Sequence, residues 1–145
     1  MAIQVALPHF SCRVVCSVLA ERGGKILLLR RGPGSVIRQG GWDLPGGILE
    51  QDEDLSECVK REFCEETGLT LASAPRIIFA ESGCGEGFWI RLVFIADSSE
   101  GEVRLSPEHC DHAWATPKEA LALDYGKGGE FQRRAVEEAA RPEME

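Results

Sequence analysis

No stretch of the chain approaches about 18 consecutive apolar residues, so no segment reads as a membrane-spanning helix. The first residues lack a basic patch followed by an apolar core, and a cytoplasmic protein is the expectation. No CxxC pair occurs among the six cysteines, at positions 12, 16, 58, 64, 84 and 110. A chain of this length needs no stapling, so they read as reduced, half-buried small side chains. His109-Cys110-Asp111-His112 offers ligand types but has no second cluster at zinc spacing. Positive charge is also scarce: 16 Lys and Arg stand against 24 Asp and Glu, a net charge of −8. That argues against a general binder of long nucleic acid, and any anionic ligand must be met by a local cationic device. Repeats and low-complexity tracts are absent.

What is present fits one domain over residues 1–145, since this length fills one core but not two. "CRVVCSVLA" (12–20) and "KILLLR" (25–30) read as two strands of a hairpin around the turn "ERGG". Residues 31–43 carry too much Gly and Pro for a core element. They read as a loop with Arg31 and Arg38, a cationic edge over an anionic ligand. Residues 75–82 and 88–97 are expected strands, "GEVRL" (101–105) a short one, and "HAWAT" (112–116) another. A short helix follows from Pro117, and a terminal helix over 129–140 turns Phe131, Ala135 and Val136 inward. The pattern is α/β, with a mixed sheet and few helices.

A helix is predicted over 53–67, with Asp52 as its cap and Gly68 as its left-handed stop. Leu55, Cys58, Val59 and Phe63 form its apolar stripe. At about 100° per residue, Glu62, Glu65 and Glu66 fall on the same side as that stripe. A surface helix should place them opposite. Like charges at these spacings repel, and partial burial raises the cost. A bound cation reverses the sign, since carboxylate oxygens are what magnesium takes.

From Gly47 the chain reads Gly, five residues, Glu53, seven residues, then R-E-F-C-E-E-T-G-L. This resembles the Nudix box, Gx5Ex7REUxEExGU with U apolar, at all nine fixed positions over 23 residues. "WDLPGG" before it is similar to the family's usual approach, and "SPEHCDHAWATPKEAL" (106–121) looks like the late strand and helix of many members. One departure is Asp52, where many boxes have glycine; a changed loop shape is expected there, with activity kept.

The resemblance implies an α/β/α sandwich with a mixed β-sheet, and metal-dependent hydrolysis of a nucleoside diphosphate linked to another group. Substrates in that range are nucleoside triphosphates, dinucleoside polyphosphates and nucleoside diphosphate sugars. It implies Mg2+, or Mn2+, held by Glu62, Glu65 and Glu66 with a backbone carbonyl of Gly46 or Gly47. Glu53 would pair with Arg61 and hold loop to helix. Arg31 or Arg38 would clamp substrate phosphates. Glu108 is the first candidate for the general base, Asp111 the second, and Glu62 the alternative inside the box. His109 and His112 read as satisfied histidines.

The chain contains no asparagine, which weakens the likeness to oxidised-guanine triphosphate hydrolases that read the base with one; Gln132 or Asp124 could substitute. Phe88 and Trp89 alternate on a strand, so one can face a base while the other packs inward. The partner implied is a small nucleotide, with the protein a monomer or homodimer. The alternative is a nucleotide-sensing module without turnover, but such modules commonly lose one of the glutamates. A decapping enzyme would need a basic surface, and an isoprenoid-type isomerase further acid groups.

Overall fold

A computed structural model of the chain describes residues 9–142. The apolar runs near the start form β1 (Cys12–Arg22) and β2 (Lys25–Arg31), joined at Gly23 and Gly24, whose φ angles of 57° and 78° suit glycine. Only the closed end of this hairpin pairs, Glu21 with Ile26 and Arg22 with Lys25. Beyond it the two strands splay. β3 (Trp42–Asp43) pairs with β2, and β4 (Gly46–Ile48) fills the gap beside β1. β5 (Arg76–Gly85) and β6 (Gly87–Asp97) form a second hairpin, and β6 runs parallel to β1. β7 (His109–Ala115) pairs antiparallel with β2. The sheet is therefore mixed, as expected.

β1 and β2 are continuous apolar runs because both of their faces are covered. Val18, Ala20, Leu27 and Leu29 point to one core, which α1 (Leu55–Thr67) completes with Cys58, Val59 and Phe63. Leu19, Ile26 and Leu28 point to the other, filled by Tyr125 and by Phe131, Ala135 and Val136 of α3 (Glu130–Ala140). A short α2 (Pro117–Ala120) lies between, capped by Thr116. Each large side chain fully buried this way contributes about 1.5–3 kcal/mol. Helices on both faces of one mixed sheet make the expected α/β/α sandwich. Among the described residues no helix is long and apolar enough to cross a membrane, and all six cysteines are free.

Three expectations shift. The helix begins at Leu55 and is capped by Asp54, not Asp52. Asp54 accepts from the Glu57 amide at 2.8 Å and Glu57 reaches back to the Asp54 amide, so two orphan donors are satisfied reciprocally. Asp52 instead sits at φ 64°, a left-handed turn residue, which frees Glu53 from the helix. "GEVRL" is not a strand. Instead it runs past the end of α1: its Arg104 amide donates to Thr67 O at 2.7 Å, and the Ser106 amide just beyond it to Glu66 O. Finally, "RGPGSVIRQGGWD" is not all loop, since Trp42 and Asp43 join the sheet edge. The Gly68 stop is as expected, at φ 72°.

Candidate active site

Where β1 and β2 splay, an open cavity of about 660 Å³ lies against β4 and the carboxylate side of α1. Its floor follows from the glycines of β4. Gly46 and Gly47 pair with Ser17 and Cys16, and any side chain at Gly46 would strike the β1 backbone. A side chain at Gly47 would overlap the Glu62 carboxyl. Only bare backbone lets the α1 carboxylates come this close to the sheet.

Glu62 and Glu66 line this cavity together. Glu66 is the more unusual: its side chain is 7% exposed, and its Oε2 is buried with no hydrogen-bond partner. Burial, then the neighbouring charges of Glu62 and Asp43, push its pKa up to about 9, opposed by a backbone hydrogen bond from Gly46. Burial also raises the Glu62 pKa, more than Arg61 lowers it. The His109 Nδ1 lies 3.9 Å from Glu66 Oε2, and it too is buried without a partner. That distance makes no hydrogen bond. Burial lowers the His109 pKa while raising that of Glu66, so the two face each other neutral rather than as an ion pair. The sequence reading of His109 as a satisfied histidine is corrected by this geometry.

Glu65 is placed differently. It is 59% exposed, does not line the cavity, and approaches Arg61 Nη1 at 3.4 Å. Among the described residues no three His, Cys, Asp or Glu side chains converge as a metal shell. The donor set nevertheless suits a hard divalent cation. A buried, unpartnered carboxylate oxygen stands beside a second carboxylate and two bare glycines.

Arg61 is the hub that orients these groups. It grips Glu53 through two bonds of 2.7 and 3.0 Å and donates to Glu62 Oε1 at 2.8 Å. The Arg61 guanidinium holds the Glu53 carboxyl at about 2, below the usual carboxylate range. Arg61 thus joins loop to helix, and the same guanidinium also steers Glu62.

Arg31 and Arg38 line the cavity but are already engaged by Asp43, at 2.7 and 2.8 Å. Arg38 is 9% exposed and also donates to the carbonyls of Trp42 and Tyr125. Arg31 further holds Ser35 Oγ and Ile37 O. Both clasp the 32–43 loop to the sheet. Asp43, the acid of "WDLPGG", was the legible signal for this, and only its tertiary partners were hidden.

Of the two proposed bases, Glu108 lines the cavity from the turn before β7, and its charge acts on Glu62, Glu66 and His109. Asp111 is exposed, lies outside the cavity lining, and caps the His112 amide at 2.8 Å. Asp124 caps Gly126, and Gln132 does not line the cavity either. Phe88 packs edge-on against Phe10, while Trp89 faces the cavity with Arg13 and Arg91. The arginines escaped the sequence reading; strand alternation alone puts Arg91 on the face of Trp89.

A family model described as the NUDIX domain matches residues 11–139. A MutT-like protein of Streptomyces ambofaciens is 34% identical over 105 residues, which is 72% of this chain and 64% of the length of that protein. The nucleoside triphosphatase NudI of Escherichia coli is 28% identical over 123 residues, 77% of this chain and 87% of that protein. The MutT protein from Methanosarcina mazei Go1 superposes with a TM-score of 0.72 at 30% identity, across 93% of this chain and 100% of that one.

Proposed function

The chain belongs to the Nudix family, and on that premise we propose that it is a Mg2+- or Mn2+-dependent hydrolase of a pyrophosphate link in a nucleoside di- or triphosphate derivative. Similarity to MutT-like and nucleoside triphosphatase relatives supports a pyrophosphohydrolase-type reaction. The single observation that carries the finer reading is the buried, unpartnered Glu66 oxygen beside Glu62 on a glycine floor. Two carboxylates placed to repel each other in a cavity are costly unless a cation is taken up.

Glu62 and Glu66 would hold the cation, with Gly46 or Gly47 offering a carbonyl and Glu65 reaching in from the rim. When bound, it supplies charge neutralisation of the diphosphate and acidifies the attacking water. The protein's own groups do the rest. Arg61 fixes the Glu62 rotamer from one side while anchoring the Glu53 loop, so that carboxylate is oriented before substrate arrives. Glu108 takes the proton of the water: its carboxylate enters no hydrogen bond or ion pair among the described residues, and unlike Glu86, the other such acid of the cavity lining, it acts on Glu62, Glu66 and His109. The Asp43 clasp shapes the cavity wall and keeps Arg31 and Arg38 at its edge. An acidic protein binds an anionic substrate this way because the metal brings the positive charge.

Incubation with a panel of nucleoside triphosphates, dinucleoside polyphosphates and nucleoside diphosphate sugars in Mg2+ tests this. Release of phosphate, pyrophosphate or a nucleoside monophosphate is expected. Tight nucleotide binding with no turnover of any compound would make the protein a sensing module instead.

A further inference from the structure

Four arginines line the cavity, and two of them are consumed by Asp43. Arg13 and Arg91 form no ion pair among the described residues. For Arg91 this is unexpected. Its cross-strand neighbour on β5 is Glu81, the position where an opposite charge usually pairs. Glu81 is instead taken by Arg134 of α3, through two bonds of 2.8 and 3.0 Å. The Arg91 guanidinium lies over the Trp89 indole, 4.4 Å from its centroid, with the Phe131 ring at 5.2 Å. Trp89 is in turn laid against Gly83, its partner on β5, where any β-carbon would overlap the indole. So a glycine admits the tryptophan, the tryptophan carries the guanidinium, and α3 removes the competing carboxylate.

Arg13 joins from the adjacent strand. The parallel register pairs Arg13 with Trp89 and Val15 with Arg91, which puts both arginines on one face of the sheet. Arg13 donates to the Glu86 carbonyl at 3.2 Å, a neutral acceptor that leaves its charge uncompensated. Two guanidinium groups therefore share a cavity with Glu62, Glu66 and Glu108. A planar fork with its charge unspent matches a phosphoryl group, and two of them repel until an anion lies between.

We infer that Arg91 and Arg13 bind a phosphoryl group of the substrate outside the diphosphate held by the carboxylates. The preferred substrates are then nucleoside triphosphates and longer polyphosphates over nucleoside diphosphate sugars. Trp89 and Gly83 are positioning residues for Arg91. This rests on the hydrolase reading above and narrows it.

The test is the ratio of kcat/KM for a nucleoside triphosphate to that for the diphosphate sugar of the same nucleoside. Arg91→Gln should lower that ratio about 10–100-fold, chiefly through KM of the triphosphate, with partial recovery in Arg91→Lys. Gly83→Ala, which touches neither charge, should lower the same ratio at unchanged metal affinity. An unchanged ratio in Arg91→Gln overturns the inference. So does a changed preference among the four bases at constant phosphate number, which would make Arg91 a reader of the base. If no compound is turned over, the hydrolase reading fails and binding of inorganic tripolyphosphate decides this inference separately. Affinity at least tenfold weaker in Arg91→Gln upholds the site, and equal affinity removes it.

Discussion

Glu66→Gln should stabilise the metal-free protein while abolishing its activity. In the folded chain this carboxyl has its pKa pushed up to about 9 from an ordinary 4.5, because ionisation buries an unpartnered charge beside Glu62 and Asp43. A raised acid pKa means that the folded state holds its proton more tightly than the unfolded one. Below pH 4.5 both states are protonated and nothing is lost. Between pH 4.5 and 9 the unfolded carboxyl ionises freely while the folded one resists, so stability falls as pH rises. Each pH unit in that window weighs about 1.4 kcal/mol, so the loss at pH 7 is on the order of 3 kcal/mol. Glutamine keeps the volume and carries no charge, which removes the loss. For a domain of this size that corresponds to a Tm raised by roughly 6–12 °C at pH 7. The gain should shrink toward zero near pH 5, and EDTA-treated protein followed by thermal unfolding across pH 5–8 measures it. Adding Mg2+ should raise the Tm of the wild type more than that of the variant. A variant less stable than wild type at pH 7, or a difference that ignores pH, would refute the placement of a strained, cation-seeking carboxyl here.

Three further outcomes follow from particular contacts. Glu108→Gln should lower kcat about 10²–10⁴-fold with metal affinity retained, while Asp111→Asn stays within about threefold, as steady-state kinetics and metal titration will show. Arg38→Ala should cost about 3 kcal/mol by chemical denaturation, because it strips one of two cations from a buried Asp43 and frees the Trp42 and Tyr125 carbonyls. Asp52→Gly should stabilise by up to about 1 kcal/mol with unchanged turnover, since φ 64° at this position suits glycine better than aspartate.

What the residues told in advance follows the length of the pattern that carries it. α1 was legible because its stripe, its Gly68 stop and the box all repeat at helical spacing over more than three turns. β1, β2, β5 and β6 were legible as long apolar runs. β3 and β4 were not, because two or three residues carry no period. Asp52 and Asp54 both precede the helix. The Asp54–Glu57 spacing is that of a capping box, while Asp52 is taken up in a left-handed turn. Within the site, azimuth and the box together pointed to Glu62 and Glu66, but azimuth put Glu65 on the same side and the structure leaves it exposed. The spending of Arg31 and Arg38 on Asp43 was not, nor the freedom of Arg91, since both depend on which distant acid or base arrives first. His109 was misjudged for the same reason: its neighbour Glu66 is 43 positions away and on another element.

The most direct measurement is calorimetric titration of the metal-free protein with Mg2+ or Mn2+ at pH 7 in two buffers of different ionisation enthalpy, which counts protons released on binding. Because Glu66 holds a proton at that pH and a ligating carboxylate cannot, binding should expel about one proton per cation in the wild type and none in Glu66→Gln. Binding with no proton release in the wild type, or with the same affinity and release in the variant, would contradict the assignment of Glu66 as a metal ligand.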